Sequence, residues 1–216
     1  MTDLLFHDDS YLKEFQATVT EVVDGGVVLD RTAFYAGGGG QPCDTGVLIS
    51  GGRECPVTRV GRSEGKIVHQ LEGPAPAAGT EVTGRIDWER RYHLMRTHTA
   101  LHVLCGVVWR DYGAKVTGGD MRPGEARMDF ELEQMSAQFA QEVEEKINAE
   151  VAAARDVLVG NLSREEAEQV PDLIRTKINL LPPNIRQVRT IEIKGLDTQA
   201  DGGTHVANTR EIGVIK

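Results

Sequence analysis

The chain has 216 residues, of which 40% are hydrophobic and 26% charged, and its formal net charge is −9. This composition is typical of a folded protein and excludes disordered and fibrous classes, while the negative charge argues against a sequence-independent nucleic-acid binder. No apolar stretch approaches the ~20 residues of a membrane helix, the N-terminus lacks the pattern of a secretory signal, and three unclustered cysteines predict no disulfide framework, so we expect a cytoplasmic protein.

Residues 1–86 predict a small β-barrel or sandwich. Apolar and polar residues alternate in short segments that are separated by Gly, Pro, Asp and Ser, as in half-buried strands, and no useful stretch has helical periodicity. The stretch GPAPAAG (73–79) predicts a turn. The predicted strands cover residues 15–22, 26–30, 46–50 and 81–87.

The pattern changes at Asp87, where a long helix is predicted. Asp87 is a candidate N-cap, and Gly113 is a candidate stop. Between them, apolar residues recur at helical spacing and form one stripe, and His98 and His102 lie on the neighbouring stripe. The helix is therefore expected to bury one side and to hold the two histidines at its margin.

The rest of the chain mixes predicted helices and strands. A strand is predicted over 126–132, a helix over roughly 134–155, and further strands over 186–193 and 204–209, after Pro182 and Pro183. Ser163 and Glu166 have the spacing of a capping box, which indicates another helix start. The sequence thus predicts an α+β protein with a β-barrel domain at 1–86 and an α+β domain at 87–216.

His98 and His102 are candidate metal ligands. Residues four apart on a helix point the same way, so two neutral imidazoles at this spacing can bind one zinc ion. The pair alone does not establish a site, because two histidines also recur on half-buried helix faces. It is not a metalloprotease motif, since Thr99 stands where that motif has its glutamate.

A second candidate pair lies near the C-terminus. Asp201 and His205 are also four apart, on either side of a Gly-Gly. Carboxylate and imidazole both ligate zinc, so the two pairs together would supply four ligands. A glycine turn with an Asx hydrogen bond from Asp201 explains the Asp-Gly-Gly equally well but gives His205 no role.

Four segments resemble one known family. They are MRTHTALH (95–102), DGGTHVANTREIG (201–213), RTAFYAGGGGQPCDTG (31–46) and IDWERR (86–91). Together they resemble the editing domain of alanyl-tRNA synthetases and, more closely, the free-standing AlaX-type editing proteins of medium length with a glycine-rich N-terminal module. Threonyl-tRNA synthetases share the H-x-x-x-H editing domain, but the glycine-rich motif favours the alanyl side.

The resemblance implies an enzyme of translation fidelity that needs no ATP. It would deacylate tRNA(Ala) mischarged with serine or glycine, by zinc-dependent hydrolysis with one Zn²⁺ per chain. The family's ligands carry over to His98, His102 and His205. Two other functions stay open, namely a non-catalytic tRNA-binding module and a deacylase for a different aminoacyl-tRNA.

One ligand position departs from the family. Asp201 stands where the family commonly has a cysteine. Aspartate carries the same unit charge as thiolate but is a harder ligand, so we expect weaker discrimination for zinc over other divalent ions. Cys105, one turn beyond His102, and an open water position are the alternatives for the fourth ligand.

Further residues are expected to engage the substrate. The run at residues 37–40 predicts a wide turn with positive φ, and the resemblance implies a part in editing for Gly38, Gly39, Gly40 and Gln41. This run lacks the Gly-Lys-[Ser/Thr] end of a nucleotide P-loop. The resemblance also implies that Thr117 is a candidate for recognising serine, although a solvated loop threonine explains it as well.

Three arginines precede the histidine pair on the predicted helix. Arg90, Arg91 and Arg96 are the expected contacts to tRNA phosphates, with Lys115, Arg122 and Arg127 as the second choice. Their alternative is a solvated helix face that pairs with neighbouring acids.

Overall fold

The computed structural model describes residues 2–132, 136–170, 172–176 and 185–216. The chain divides into two compact units, Met1–Leu94 and Met95–Lys216, which we call unit 1 and unit 2. The α+β class and the N-terminal barrel are confirmed. In the described ranges, no helix combines the length and apolar character needed to cross a membrane.

Unit 1 contains a closed barrel of six antiparallel strands in the order β2-β3-β7-β6-β5-β8. The short strands β1 and β4 form a separate parallel pair. Phe15 and Phe34 lie in its core with ring centroids 5.7 Å apart. Gly84 pairs with Phe15, and a Cβ at Gly84 would lie 2.3 Å from the Phe15 ring, so only glycine fits there. The strands are β1 (Asp3–Leu4), β2 (Glu14–Val23), β3 (Gly26–Leu29), β4 (Arg31–Thr32), β5 (Gly46–Ser50), β6 (Arg53–Ser63), β7 (Lys66–Leu71) and β8 (Glu81–Ile86).

The long helix α1 (Trp88–Tyr112) agrees with the predicted cap and stop. The Asp87 carboxylate accepts a hydrogen bond from the Arg90 N–H at 3.2 Å, as an N-cap does, and Gly113 ends the helix with a φ of 64°. Leu94 and Val108 on its apolar stripe are buried. The division between the two units falls inside this helix, at 94/95, whereas the sequence predicted a domain boundary at 86/87.

Unit 2 contains a hairpin and a three-stranded antiparallel sheet in the order β11-β12-β13. The Ser163–Glu166 capping box is present at the start of α3. The predicted start of α2 near residue 134 and the two prolines lie outside the described residues. The elements are β9 (Val116–Arg122), β10 (Glu125–Phe130), α2 (Ala137–Ala152), β11 (Val157–Ser163), α3 (Arg164–Gln169), β12 (Gln187–Ile193) and β13 (Asp197–Ala200).

The strand predicted over 204–209 is wrong. That segment is irregular and leads into a 3-10 turn at Thr209–Ile212. Asn208 caps the turn by accepting from the Arg210 N–H, and the Glu211 side chain accepts from the Asn208 N–H. The Val206 N–H donates to a threonine hydroxyl on α1 rather than to a neighbouring strand. Of the sheet bonds that the alternation suggested, one isolated antiparallel bridge remains, between Asp156 and Asn208, with the Val157 N–H donating to the Ala207 carbonyl and the Thr209 N–H to the Arg155 carbonyl. Side-chain bonds stabilise the rest of the segment.

Candidate functional site

Helix α1 places two histidines on one side, one turn apart. His98 and His102 are 3% and 7% exposed, so the helix buries them instead of leaving them at its margin. Their ring centroids are 5.0 Å apart. Burial of both imidazoles is costly unless their nitrogens have polar partners, so the side chains that face them must supply such partners.

A clamped turn after β13 presents the second pair of side chains. The Asp201 carboxylate accepts from the Gly203 N–H at 2.6 Å, which is the Asx turn that the sequence suggested. Arg189 on β12 donates through Nη1 to the carbonyl oxygens of Asp201 and Gly203, at 3.1 and 2.9 Å. These bonds fix the turn. The other carboxylate oxygen of Asp201 is directed at the histidines of α1.

The four side chains form one compact group. The Asp201 carboxylate lies 3.5 Å from His98 Nε2, 3.9 Å from His102 Nε2 and 3.0 Å from His205 Nε2. One ligand atom from each of the four residues lies within 4.8 Å of all the others. Donor atoms around a tetrahedral zinc ion are roughly 3.4 Å apart, so the four side chains could hold a small divalent cation if the longest separations shortened by about 1.4 Å.

The protonation states suit a metal as well. Burial lowers the pKa of His98 to about 4, although Asp201 opposes the shift, and burial also lowers the pKa of His102 well below its ordinary value. Burial raises the pKa of Asp201, but His98 and His205 lower it by more, so the carboxyl pKa is well below its ordinary value. Neutral imidazoles and an ionised carboxylate are the forms that bind cations.

Cys105 does not belong to this group. Burial and the nearby Asp197 raise the pKa of its thiol to about 12. Of the two protein candidates for a fourth ligand, Asp201 is the one that the fold brings to the histidines.

The glycine-rich run in unit 1 has the backbone that the sequence predicted. Residues 37–40 all have positive φ, between 57° and 136°. Gly38 and Gln41 exchange both main-chain hydrogen bonds, and the Tyr35 hydroxyl donates to the Gly38 carbonyl at 2.9 Å. Gly38, Gly39 and Gly40 are exposed, while Gln41 is buried. The loop is held at its base and presents bare main chain at its tip.

The expectation that Arg91 contacts tRNA is wrong. Its side chain is fully buried and pairs with Asp44, whose carboxylate oxygens both lie 3.0 Å from Arg91 Nε. Its Nη1 donates to the Ser10 carbonyl and its Nη2 to the Ala33 carbonyl. Asp44 also accepts from the Tyr35 N–H, so this pair secures the base of the glycine-rich loop. A buried, fully engaged guanidinium has nothing left for phosphate.

The other predicted contacts are placed differently. Arg90 and Arg96 are half-buried, with Arg90 donating to the Cys43 carbonyl and Arg96 donating twice to the Ile212 carbonyl. Thr117 lies on β9 and is exposed; it is a strand residue rather than a loop residue. Arg122 and Arg127 on the β9–β10 hairpin are about three-quarters exposed.

Comparison with known proteins agrees with this architecture. Residues 7–90 match the family model of class II (A) tRNA synthetases, and residues 188–216 match that of the threonyl and alanyl tRNA synthetase second additional domain. The alanine–tRNA ligase of Pyrobaculum aerophilum is 43% identical over 98% of this chain, which corresponds to 24% of the ligase. The chain is thus similar to about a quarter of an alanine–tRNA ligase.

Similarity over the full length is found with free-standing proteins. The alanyl-tRNA editing protein AlaX-M of Methanosarcina barkeri is 42% identical over all of this chain and 92% of its own length. That of Saccharolobus solfataricus is 41% identical over all of this chain and 91% of its own. The chain belongs to the AlaX-M family of alanyl-tRNA editing proteins.

Proposed function

We propose that this chain is a trans-editing hydrolase for mischarged tRNA(Ala), with serine as the main amino acid removed and glycine as the second. The observation that carries the proposal is the convergence of His98, His102, Asp201 and His205 on one point. Residues 188–216, which carry Asp201 and His205, also match the synthetase additional domain, and the full-length relatives are editing proteins. The reaction is hydrolysis of the ester between the amino acid and the terminal ribose.

One zinc ion per chain is proposed to sit among the four side chains. When bound, it supplies either a Lewis acid at the ester or a binding point for the amino acid's amine or hydroxyl. Three neutral imidazoles and one carboxylate hold a divalent cation with one net positive charge left over. Arg189 keeps Asp201 in place through the clamped turn.

Discrimination is proposed to reside in groups that hydrogen-bond the serine hydroxyl. Alanine lacks this hydroxyl, so the same groups would lose their partner, which disfavours correctly charged tRNA. Thr117 is proposed for this contact because it is exposed beside two glycines on β9. Gly38, Gly39 and Gly40, with Gln41 at their base, are proposed to approach the substrate through their main chain.

The two parts of the chain are proposed to have different roles in binding tRNA and in hydrolysis. Residues 1–86 serve substrate engagement, and residues 87–216 contain the chemistry. With Arg91 excluded, Arg90 and Arg96 are the proposed phosphate contacts, and the exposed Arg122 and Arg127 are the alternative. A minority of basic side chains must carry this binding, because the net charge is −9.

A deacylation assay tests the function directly. Purified protein is incubated with tRNA(Ala) carrying serine, glycine or alanine, before and after removal of metal by a chelator. We expect release of serine first, then glycine, with alanine spared and with activity lost on chelation and restored by zinc. Binding without hydrolysis of any ester would indicate a non-catalytic tRNA-binding module, and hydrolysis confined to another aminoacyl-tRNA would indicate a different deacylase.

A further inference from the structure

Thr99 lies between the two histidines of α1 and is fully buried. Three groups surround its hydroxyl oxygen: the Met95 carbonyl oxygen at 2.9 Å, the Val206 amide nitrogen at 3.2 Å and His205 Nδ1 at 3.2 Å. The hydroxyl therefore touches the ring of one member of the metal group and the main chain directly after it. Nothing in the reaction proposed above uses it.

The hydrogen-bonding capacity of these groups fixes their roles. A hydroxyl donates one hydrogen and accepts through two lone pairs. The Met95 carbonyl can only accept and the Val206 N–H can only donate, so the hydroxyl gives its hydrogen to Met95 and one lone pair to Val206. The second lone pair remains for His205 Nδ1, which must then be the donor.

We propose that Thr99 is a positioning residue that keeps the proton of His205 on Nδ1 and leaves Nε2 with its lone pair towards the metal. Nε2 lies 3.0 Å from the Asp201 carboxylate oxygen, so a ring hydrogen or a shared cation must lie between these two atoms, and a bound metal ion would take the place of that hydrogen. Which imidazole nitrogen binds a metal is set by the hydrogen bond of the other one, and such outer contacts orient the ring and raise its basicity. This proposal rests on the metal site of the proposed function.

Thr99 also stands inside the H-x-x-x-H motif. It occupies the place of the glutamate general base in a metalloprotease helix, directly after the first histidine and three residues before the second. Here the side chain is directed at the far nitrogen of a ligand, so its contribution is to metal binding and not to proton abstraction from water.

The experiment compares two substitutions at Thr99 with one matched substitution elsewhere. Thr99→Val keeps the shape but cannot accept a hydrogen bond, and Thr99→Ser keeps the hydroxyl. Thr32→Val is the control, because the Thr32 hydroxyl also contacts a buried imidazole, that of His69 in unit 1 at 2.8 Å. Zinc affinity is measured on the purified full chain by competition with a chromophoric chelator, without tRNA.

We expect Thr99→Val to bind zinc about 10- to 100-fold more weakly, the usual cost of losing such an outer contact. Thr99→Ser and Thr32→Val should stay within about threefold of the unchanged protein. Equal affinity in Thr99→Val would overturn the proposal. Absence of zinc from the unchanged protein would overturn the metal site itself, which is a different result, and loss of deacylation with zinc still bound would bear only on the function.

A second measurement needs no substitution. Long-range ¹H–¹⁵N spectra of the imidazole rings in the zinc-loaded protein report which nitrogen carries the proton. We expect the proton of His205 on Nδ1, in slow exchange with water because Thr99 accepts it. Zinc on Nδ1 with the proton on Nε2 would refute the proposal, even if Thr99→Val fails to fold.

Discussion

Both units bury histidine, but they do so in opposite ways. In unit 1, His69 is fully buried, with Nε2 2.8 Å from the Thr32 hydroxyl and Nδ1 3.4 Å from the Val27 carbonyl. In unit 2, His98, His102 and His205 bring their rings within 5.0 Å of one another around a carboxylate. In unit 1, groups of the fold form hydrogen bonds with both nitrogens of a single ring. In unit 2, several potential ligand atoms converge on one point.

The difference shows that burial of histidine does not by itself identify a site. The pKa of His69 falls to about 4 through burial, as does that of His98, so a perturbed pKa does not separate the two cases either. Convergence of several donor atoms does separate them. Unit 1 also satisfies its buried guanidinium internally, because Arg91 pairs with Asp44. The contrast is therefore between polar groups that are paired within the fold and a group of side chains that could hold a metal ion.

The largest effect is expected for the buried ion pair of unit 1. Arg91→Met would leave the Asp44 carboxylate buried without its partner, which typically costs about 3–5 kcal/mol of unfolding free energy. Chemical denaturation measures this loss, and Arg59→Met, at an exposed arginine of β6, is the control. A loss below about 1 kcal/mol for Arg91→Met would show that the pair does not stabilise the fold.

Removing a proposed ligand comes next. His205→Ala and His98→Ala should each weaken zinc binding by more than about a hundredfold, since losing a direct ligand exceeds the 10- to 100-fold cost of an outer contact. His69→Gln should retain the metal, because His69 belongs to the other kind of buried histidine. If metal analysis finds undiminished zinc in both ligand variants, the histidines of unit 2 do not differ from His69 in metal binding.

The titration of His69 gives a third, smaller effect. Its folded pKa of about 4 lies below the ordinary 6.5, so the unfolded chain takes up the proton first as the pH falls, and stability decreases below pH 6.5. Between pH 7 and pH 5 this group should cost about 2 kcal/mol. Denaturation of the unchanged protein and His69→Gln at both pH values measures it; equal pH dependence in the two would contradict it.

A smaller change is expected when the family's usual ligand is restored. Asp201→Cys keeps the unit charge and supplies a softer atom, so zinc affinity should be unchanged or up to about tenfold higher, while affinity for Mn²⁺ should fall. Competition binding of the two ions tests both parts. A clear loss of zinc would mean that Asp201 is not a ligand, and the fourth position would then belong to water.

The smallest effect concerns the surface. Replacing Arg90 and Arg96 by glutamine should weaken mischarged and correctly charged tRNA(Ala) alike and reduce the slope of log affinity against log salt by roughly 0.7 to 0.9 per lost contact. The preference for serine should not change. The pair Arg122→Gln and Arg127→Gln serves as the comparison, and a reduced slope in that pair alone would place the docking surface on the β9–β10 hairpin.

Sequence reasoning succeeded where the signals are local. The start of α1 at Asp87, its end at Gly113 and the Ser163 capping box depend on residues within a few positions of one another. The positive φ of the glycine run follows from residue type alone. These features do not require knowledge of what packs against them.

The missed strands have a common cause. β6 and β7 were not predicted; in β6, charged residues and Pro56 interrupt the alternation on the exposed face. β11 exposes Leu158 and Val159 in succession, so its period is obscured. In each case pairing with neighbouring strands determines the structure, and this pairing is not visible in the strand's own residues.

For the site, spacing suggested each ligand pair but not that the two pairs meet. Ligand chemistry suggested that the two pairs could form one four-ligand site, and the family resemblance supported this; the fold then brings together residues about a hundred positions apart. Arg189 and Thr99 were not recognised as supporting residues. Their roles depend on contacts to Asp201 and His205 that no local pattern encodes.

The absence of cysteine from the four-residue group also bears on oxidative stress. All three cysteines, Cys43, Cys55 and Cys105, are free and lie outside the group. Peroxide drives thiolate ligands to sulfenic and higher acids, and zinc centres that depend on thiolates lose their ion in this way. Imidazole and carboxylate offer no such reactive sulfur. With Asp201 in place of the family's cysteine, a cation held here would stay bound in the presence of oxidants that release the metal ion from a site with a thiolate ligand.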